Sequence, residues 1–199
     1  QYNVALGAHP SFPDLKGFGR RNMNLDPLEV KADIIYQSGA LSAFSKTKKI
    51  QHIKPHGAMY NQAVNDPDLA KAICESILEF DDQVILLALT GSQWIKIAEQ
   101  MGLRVAREVF ADRAINSDGT LVPRSKDGSV IHDTSEVIER SLRMVNDGVI
   151  ESIEGDLVAV EADSICLHGD TQGAVELSKS LKEEFTKSGI SILPLGEIV

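Results

Sequence analysis

Cysteine, tryptophan, aromatic residues and positive charge are all scarce in this chain of 199 residues. Its two cysteines, Cys74 and Cys166, make neither a disulfide framework nor a CxxC metal site. No apolar run approaches the ~20 residues that cross a bilayer, and Gln1-Tyr2-Asn3 opens without a signal-peptide pattern. Lys and Arg number 20 against 29 Asp and Glu, for a net charge of −9. That balance argues against a protein that coats nucleic acid, because phosphate binding needs local positive charge. Also missing are a Walker A loop, a GxGxxG turn between strand and helix, a GxSxG elbow and a His-x-x-x-His helix for zinc. What is present is an apolar fraction of 43 %, enough to bury a large core and to exclude disorder. The composition reads as that of a soluble, acidic, cytoplasmic protein. With no linker, repeat or low-complexity stretch, one domain over residues 1–199 is expected.

Strands alternate with helices along the chain. Residues 2–8 read as a strand ending in His9-Pro10, followed by a loop rich in Gly and Pro. Asp26-Pro27-Leu28-Glu29 starts a helix with N-cap, first-turn proline and capping-box glutamate in place. Val30, Ile34, Leu41 and Phe44 recur on one face of it. Ile50–Ile53 is a short strand ending in Lys54-Pro55-His56-Gly57, and Asp66-Pro67 starts the next helix. Val84–Leu89 is a continuous apolar strand of the kind buried on both faces of a parallel sheet. A short helix follows Thr90-Gly91-Ser92, and Leu103–Phe110 is a strand ending in Ala111-Asp112-Arg113. Asp133 and Glu136 bracket a capping box for a helix that stops at Gly148. Val149–Ile153 and Leu157–Val160 form a hairpin. Ser164–Leu167 is a strand ending in His168-Gly169-Asp170, a helix spans about 173–188, and Ile190–Leu193 is expected as a last strand. This alternation predicts an α/β fold with a parallel sheet.

Parallel α/β proteins bind ligands at the C-terminal ends of their strands. Here those positions hold His9, Lys54 and His56, Thr90-Gly91-Ser92, Asp112 and Arg113, and His168 and Asp170. Three of the five histidines fall there, each followed by Gly or Pro, which lets the backbone turn sharply. Convergent polar groups of this sort mark a site. His52 alternates inside a strand and reads as core, and His132 as a loop residue. Arg20 lies in the basic loop 15–21; Arg113 and Arg124 flank a long loop and suit an anion. His9, His56 and His168, with Asp112 and Asp170, include ligand types suited to zinc, iron or manganese; spacing leaves the metal open. Cys74 and Cys166 lie in apolar company and read as buried small hydrophobes.

Gly7-Ala8-His9-Pro10, Pro13-Asp14-Leu15 and Gly17-Phe18-Gly19-Arg20-Arg21 resemble the LamB/YcsF family of 5-oxoprolinase A subunits. Lys54-Pro55-His56-Gly57-Ala58 with Tyr60-Asn61, Glu108–Arg113, Asp118–Arg124 and His168-Gly169-Asp170 agree in order. The resemblance implies a barrel-like (β/α) fold of the glycoside hydrolase/deacetylase type, with its site at the strand C-termini. It implies hydrolysis of 5-oxo-L-proline to L-glutamate driven by ATP, with Mg accompanying the nucleotide, and partner subunits B and C. In that setting His56, His168, Asp112, Asp170 and Lys54 are expected to be catalytic: the histidines as acid/base or orienters of water, the aspartates holding them, and the lysine stabilising negative charge. His9, Arg20, Tyr60, Arg113 and Arg124 are expected to bind substrate. Family members carry an Asp-Leu-Asn-Cys-Asp segment and a His-containing Gly-Asp block before the Gly-Ala-His-Pro strand. Neither is present, so a seven-stranded barrel lacking its N-terminal strand is expected, the domain being incomplete at that end. Two other readings fit the same residues: a stand-alone metal-dependent deacylase of amides or carbohydrates, and a non-catalytic scaffold protein.

Overall fold

A computed structural model describes residues 4–169 and 173–199. The chain divides into two compact units, residues 1–106 with Val199 and residues 107–198. Five parallel strands follow the order β1 (Gly7–Ala8), β2 (His52–Ile53), β3 (Ile85–Leu89), β4 (Val105–Phe110) and β7 (Ser164–Cys166). β5 (Val149–Glu151) and β6 (Leu157–Ala159) form a separate antiparallel pair. The fold class is therefore α/β, as the alternation predicts.

In the first unit, β1 pairs β2 with Gly7 opposite His52, and β2 pairs β3 with His52 opposite Ile85. All five residues of β3 are buried, which explains its uninterrupted apolar run. Helix α1 (Pro27–Ser42) begins with the expected capping box: Asp26 accepts from the Leu28 amide, and Glu29 reaches back to the Asp26 amide. Val30, Ile34 and Ser38 form its buried stripe. Phe44 falls outside the expected face, because the helix ends at Ser42 and leaves that ring 87 % exposed. Helix α2 (Gly57–Ala63) is not signalled by periodicity. It is only seven residues long and begins directly after His56, too short for a repeating pattern to register. Asp66 caps α3 (Pro67–Phe80) through the Asp68 and Leu69 amides. Helix α3 then buries Leu69, Ile73 and Ile77. Helix α4 (Gln93–Gln100) buries Trp94, Ile95 and Ala98.

In the second unit, β4 and β7 pair in parallel, Val109 opposite Ile165 and Phe110 opposite Cys166. Asp133 caps α5 (Thr134–Asn146) through the Glu136 amide at 2.8 Å. Met144 of that helix packs with Val109, Ile115 and Ile150 in a small core. The β5–β6 hairpin is as expected, and α6 spans Ala174–Lys187. Ile190–Leu193 corrects the expectation of a last strand: Ile192 and Leu193 are 58 % and 48 % exposed, and neither joins a ladder among the described residues. An apolar run without a neighbouring strand has no ladder to complete. Among the described residues, no helix is long and apolar enough to cross a membrane.

Candidate functional site

The first unit gathers five of the residues singled out from the sequence. Past the end of β1 and β2 the two segments stay side by side. The Lys54 amide donates to the Ala8 carbonyl at 3.0 Å, and the His56 amide to the Pro10 carbonyl at 2.8 Å. That register sets the imidazoles of His9 and His56 edge to face, with centroids 4.7 Å apart and His56 Nδ1 2.9 Å from His9 Nε2. His9 Nδ1 lies 2.5 Å from the Lys54 carbonyl oxygen, and His56 Nε2 lies 2.8 Å from that of Phe18. The Phe18 ring meets His56 edge-on at 5.1 Å, and the Arg20 guanidinium lies 5.2 Å from the Phe18 centroid, in cation–π range. The Lys54 ammonium is 5.9 Å from the ring of Tyr60, which is buried against Trp94.

The loop that carries Phe18 is held from below by Asp14. Its carboxylate, almost fully buried, accepts from the Gly17 amide, the Arg21 amide and the Arg21 guanidinium. The Arg21 hydrogen bond outweighs burial and draws the Asp14 carboxyl down to about 2. Phe18 has φ +54° and Gly19 φ +67°, so two successive residues adopt the left-handed region that costs a non-glycine residue energy. That turn aims the Phe18 carbonyl at His56. A Cβ at Gly19 would stand 2.8 Å from Ser11 Cβ and 3.0 Å from His56 Cδ2. One at Gly57 would stand 2.6 Å from the Gly19 carbonyl oxygen. Asp14 and Phe18 have no role assigned from the sequence, although Asp14-x-x-Gly17 has the spacing of a side-chain-to-amide turn.

In the second unit, Asp112 follows β4 and His168 follows β7. The Ala111 amide donates to the Cys166 carbonyl at 3.2 Å and keeps the two ends in step. His168 Nδ1 lies 2.9 and 3.0 Å from the two carboxylate oxygens of Asp112. Side-chain exposure is 2 % for Asp112 and 20 % for His168. Burial tends to raise the Asp112 carboxyl, yet the His168 hydrogen bond and charge, with help from Arg113, hold it below the ordinary value. A carboxylate that accepts from Nδ1–H fixes the imidazole tautomer and leaves Nε2 with its lone pair, the arrangement of a general base. Phe110 stacks on the ring with centroids 5.9 Å apart.

The other expected site residues have different places. Arg113 is buried, and its guanidinium donates to the Ser129 carbonyl at 3.1 Å and the Val122 carbonyl at 2.5 Å; these bonds tie the loop after β4 to itself. Arg124 is exposed, and Asp170 lies outside the described residues. His52 is half-buried, its ring filling the space a Cβ at Gly7 would take; burial, then Lys54, pushes its pKa down. His132 is exposed just before α5. Burial raises the Cys74 thiol to about 12, which removes it as a nucleophile near neutral pH. Among the described residues, no group of three or more His, Cys, Asp or Glu is placed to hold a metal ion, so no step is routed through a metal. A cavity of about 340 Å³ in the second unit, lined in part by Glu136, Arg140 and Ile150, includes none of the expected residues.

Parallel strands that end in a carboxylate–imidazole pair and in a histidine pair define an α/β protein of hydrolase type in its site chemistry. The whole chain, residues 1–199, matches the LamB/YcsF family, and it belongs to that family. It is 50 % identical to the 5-oxoprolinase A subunit of Pyrococcus furiosus over 99 % of this chain and 78 % of that one. The 5-oxoprolinase A subunit of Clostridium beijerinckii is also 50 % identical, over 98 % of this chain and 77 % of that one. The crystal structure of a lactam utilization protein from Thermus thermophilus superposes with a TM-score of 0.87 at 44 % identity. That likeness covers 96 % of this chain and 77 % of the other.

Proposed function

We propose that this chain is the A subunit of a 5-oxoprolinase and that it hydrolyses the lactam of 5-oxo-L-proline to L-glutamate, together with subunits B and C. The observation that carries the reading is the Asp112–His168 pair, a base held in one tautomer, in a chain half identical to proteins of that name. His168 Nε2 takes a proton from water, which adds to the lactam carbonyl carbon. The carbon–nitrogen bond breaks, and the ring nitrogen leaves with a proton as the amine of glutamate. A lactam is a stable amide, so ATP enters as co-substrate with Mg. It transfers its terminal phosphoryl group to the amide oxygen, making the carbon a better target, and phosphate then departs. Lys54 stabilises developing negative charge, and Arg20 binds the substrate carboxylate. Arg113 is reassigned to holding its loop. The reaction is taken to be cytoplasmic, where ATP is available.

The test is release of glutamate from 5-oxoproline and ATP by the full chain with subunits B and C. Asp112→Asn and His168→Gln are each expected to lower kcat by about 10²–10⁴, the usual contribution of a positioned acid/base, with the complex still assembled. An assembled complex whose rate is unchanged by both substitutions would reduce this chain to a scaffold. Loss of activity on treatment with a chelator in the absence of ATP and partners would favour a metal-dependent deacylase instead.

A further inference from the structure

We propose that His9 and His56 hold one proton between them and act as a single imidazole–imidazolium cation, with His9 as the positioning residue for His56. The inference comes from counting hydrogens around four ring nitrogens. His9 Nδ1 faces the Lys54 carbonyl oxygen at 2.5 Å, and a carbonyl only accepts, so that nitrogen carries a proton. His56 Nε2 faces the Phe18 carbonyl oxygen at 2.8 Å, so it carries a proton as well. Both outer nitrogens are thereby assigned as donors. If each ring were neutral, His9 Nε2 and His56 Nδ1 would meet lone pair to lone pair at 2.9 Å. That separation is normal for a hydrogen bond and requires a third proton in the gap. Two imidazoles with three protons carry one positive charge.

Turning either ring over does not remove the requirement. A flipped His9 would put Cδ2, and a flipped His56 would put Cε1, 2.5–2.8 Å from a carbonyl oxygen. Carbon donors approach oxygen no closer than about 3.3 Å. The surrounding structure is built to keep those carbonyls in place. The left-handed Phe18-Gly19 turn presents one of them, Asp14 and Arg21 brace the loop, and the Ala58 amide fixes the Gly19 carbonyl at 2.9 Å. Strain retained at a turn whose carbonyl contacts a histidine is the signature of a functional constraint.

This charge state rests on the geometry of the first unit and not on the identity of the substrate. Its part in catalysis does rest on the reading above, where it makes His56 a charged anchor for an anion and leaves the role of base to His168. The experiment is nitrogen-15 NMR of the full chain labelled at its histidine rings, recorded near neutral pH. The expected spectrum has proton-bearing shifts for His9 Nδ1 and His56 Nε2. It also has one strongly downfield proton coupled to the nitrogens in the gap, and nuclear Overhauser contacts to Phe18 and Lys54 assign the rings without any substitution. Lone-pair shifts at both gap nitrogens, with no third proton, would overturn the proposal. So would a stoichiometric metal ion whose removal by a chelator shifts both rings. None of these readouts depends on turnover, so the glutamate assay can fail while the proton count stands.

Discussion

At the scale of single residues, Asp14 does more for the site than any side chain that touches it. It receives the Gly17 amide, the Arg21 amide and the Arg21 guanidinium, and so fixes the loop whose carbonyl reaches His56. Its carboxyl titrates near 2 in the folded chain instead of the ordinary 3.8. A depressed carboxyl stabilises the folded state fully above the unfolded value, and the contribution is lost as pH falls through the folded one. The window is therefore between roughly pH 4 and pH 2. Asp14→Asn is expected to lower Tm near neutral pH and to flatten the acid limb of a Tm-against-pH curve within that window. Acid limbs that superpose for the two proteins would show that Asp14 is no anchor.

Among the elements, those whose ends are written in short-range chemistry were legible in the sequence. Asp26, Asp66 and Asp133 each accept from amides two or three positions further along, inside their helices, as the side-chain rules require. The buried run of β3 and the hairpin of β5 and β6 were equally plain. What could not be read depends on neighbours distant in sequence: α2 has too few residues for a period, and Ile190–Leu193 has strand-like residues but no ladder to join. One residue of α1 runs against propensity without need. Gly39 is in the helix interior with an ordinary negative φ, and a Cβ there would meet only Phe80 Cε2 at 4.0 Å. Gly39→Ala is expected to stabilise the chain by about 0.5–1 kcal/mol, a rise in Tm of roughly 1–4 °C. A fall in Tm would mean that the α1–α3 contact is tighter than that distance allows.

For the molecule as a whole, the sequence names the strand-end residues but not their pairing, because pairing is set by register. His9 meets His56 and His168 meets Asp112 through ladders between residues 45 or more apart. Charge behaves the same way: composition reports a net −9, while the first unit collects the His9–His56 pair, Lys54 and Arg20 at its strand ends. An anionic substrate is then repelled by the whole chain at long range and held by cations at short range. The two respond differently to salt, since the screening length shrinks from ~30 Å at 0.01 M to ~8 Å at 0.15 M. Salt over that range removes most of the distant repulsion and little of the contact attraction. With ATP saturating and subunits B and C present, kcat/KM for 5-oxoproline is expected to stay level or rise over that range. A fall of about tenfold or more, the lower end of what steering by an attractive field supplies, would mean that the substrate is drawn in by a positive surface the net charge conceals.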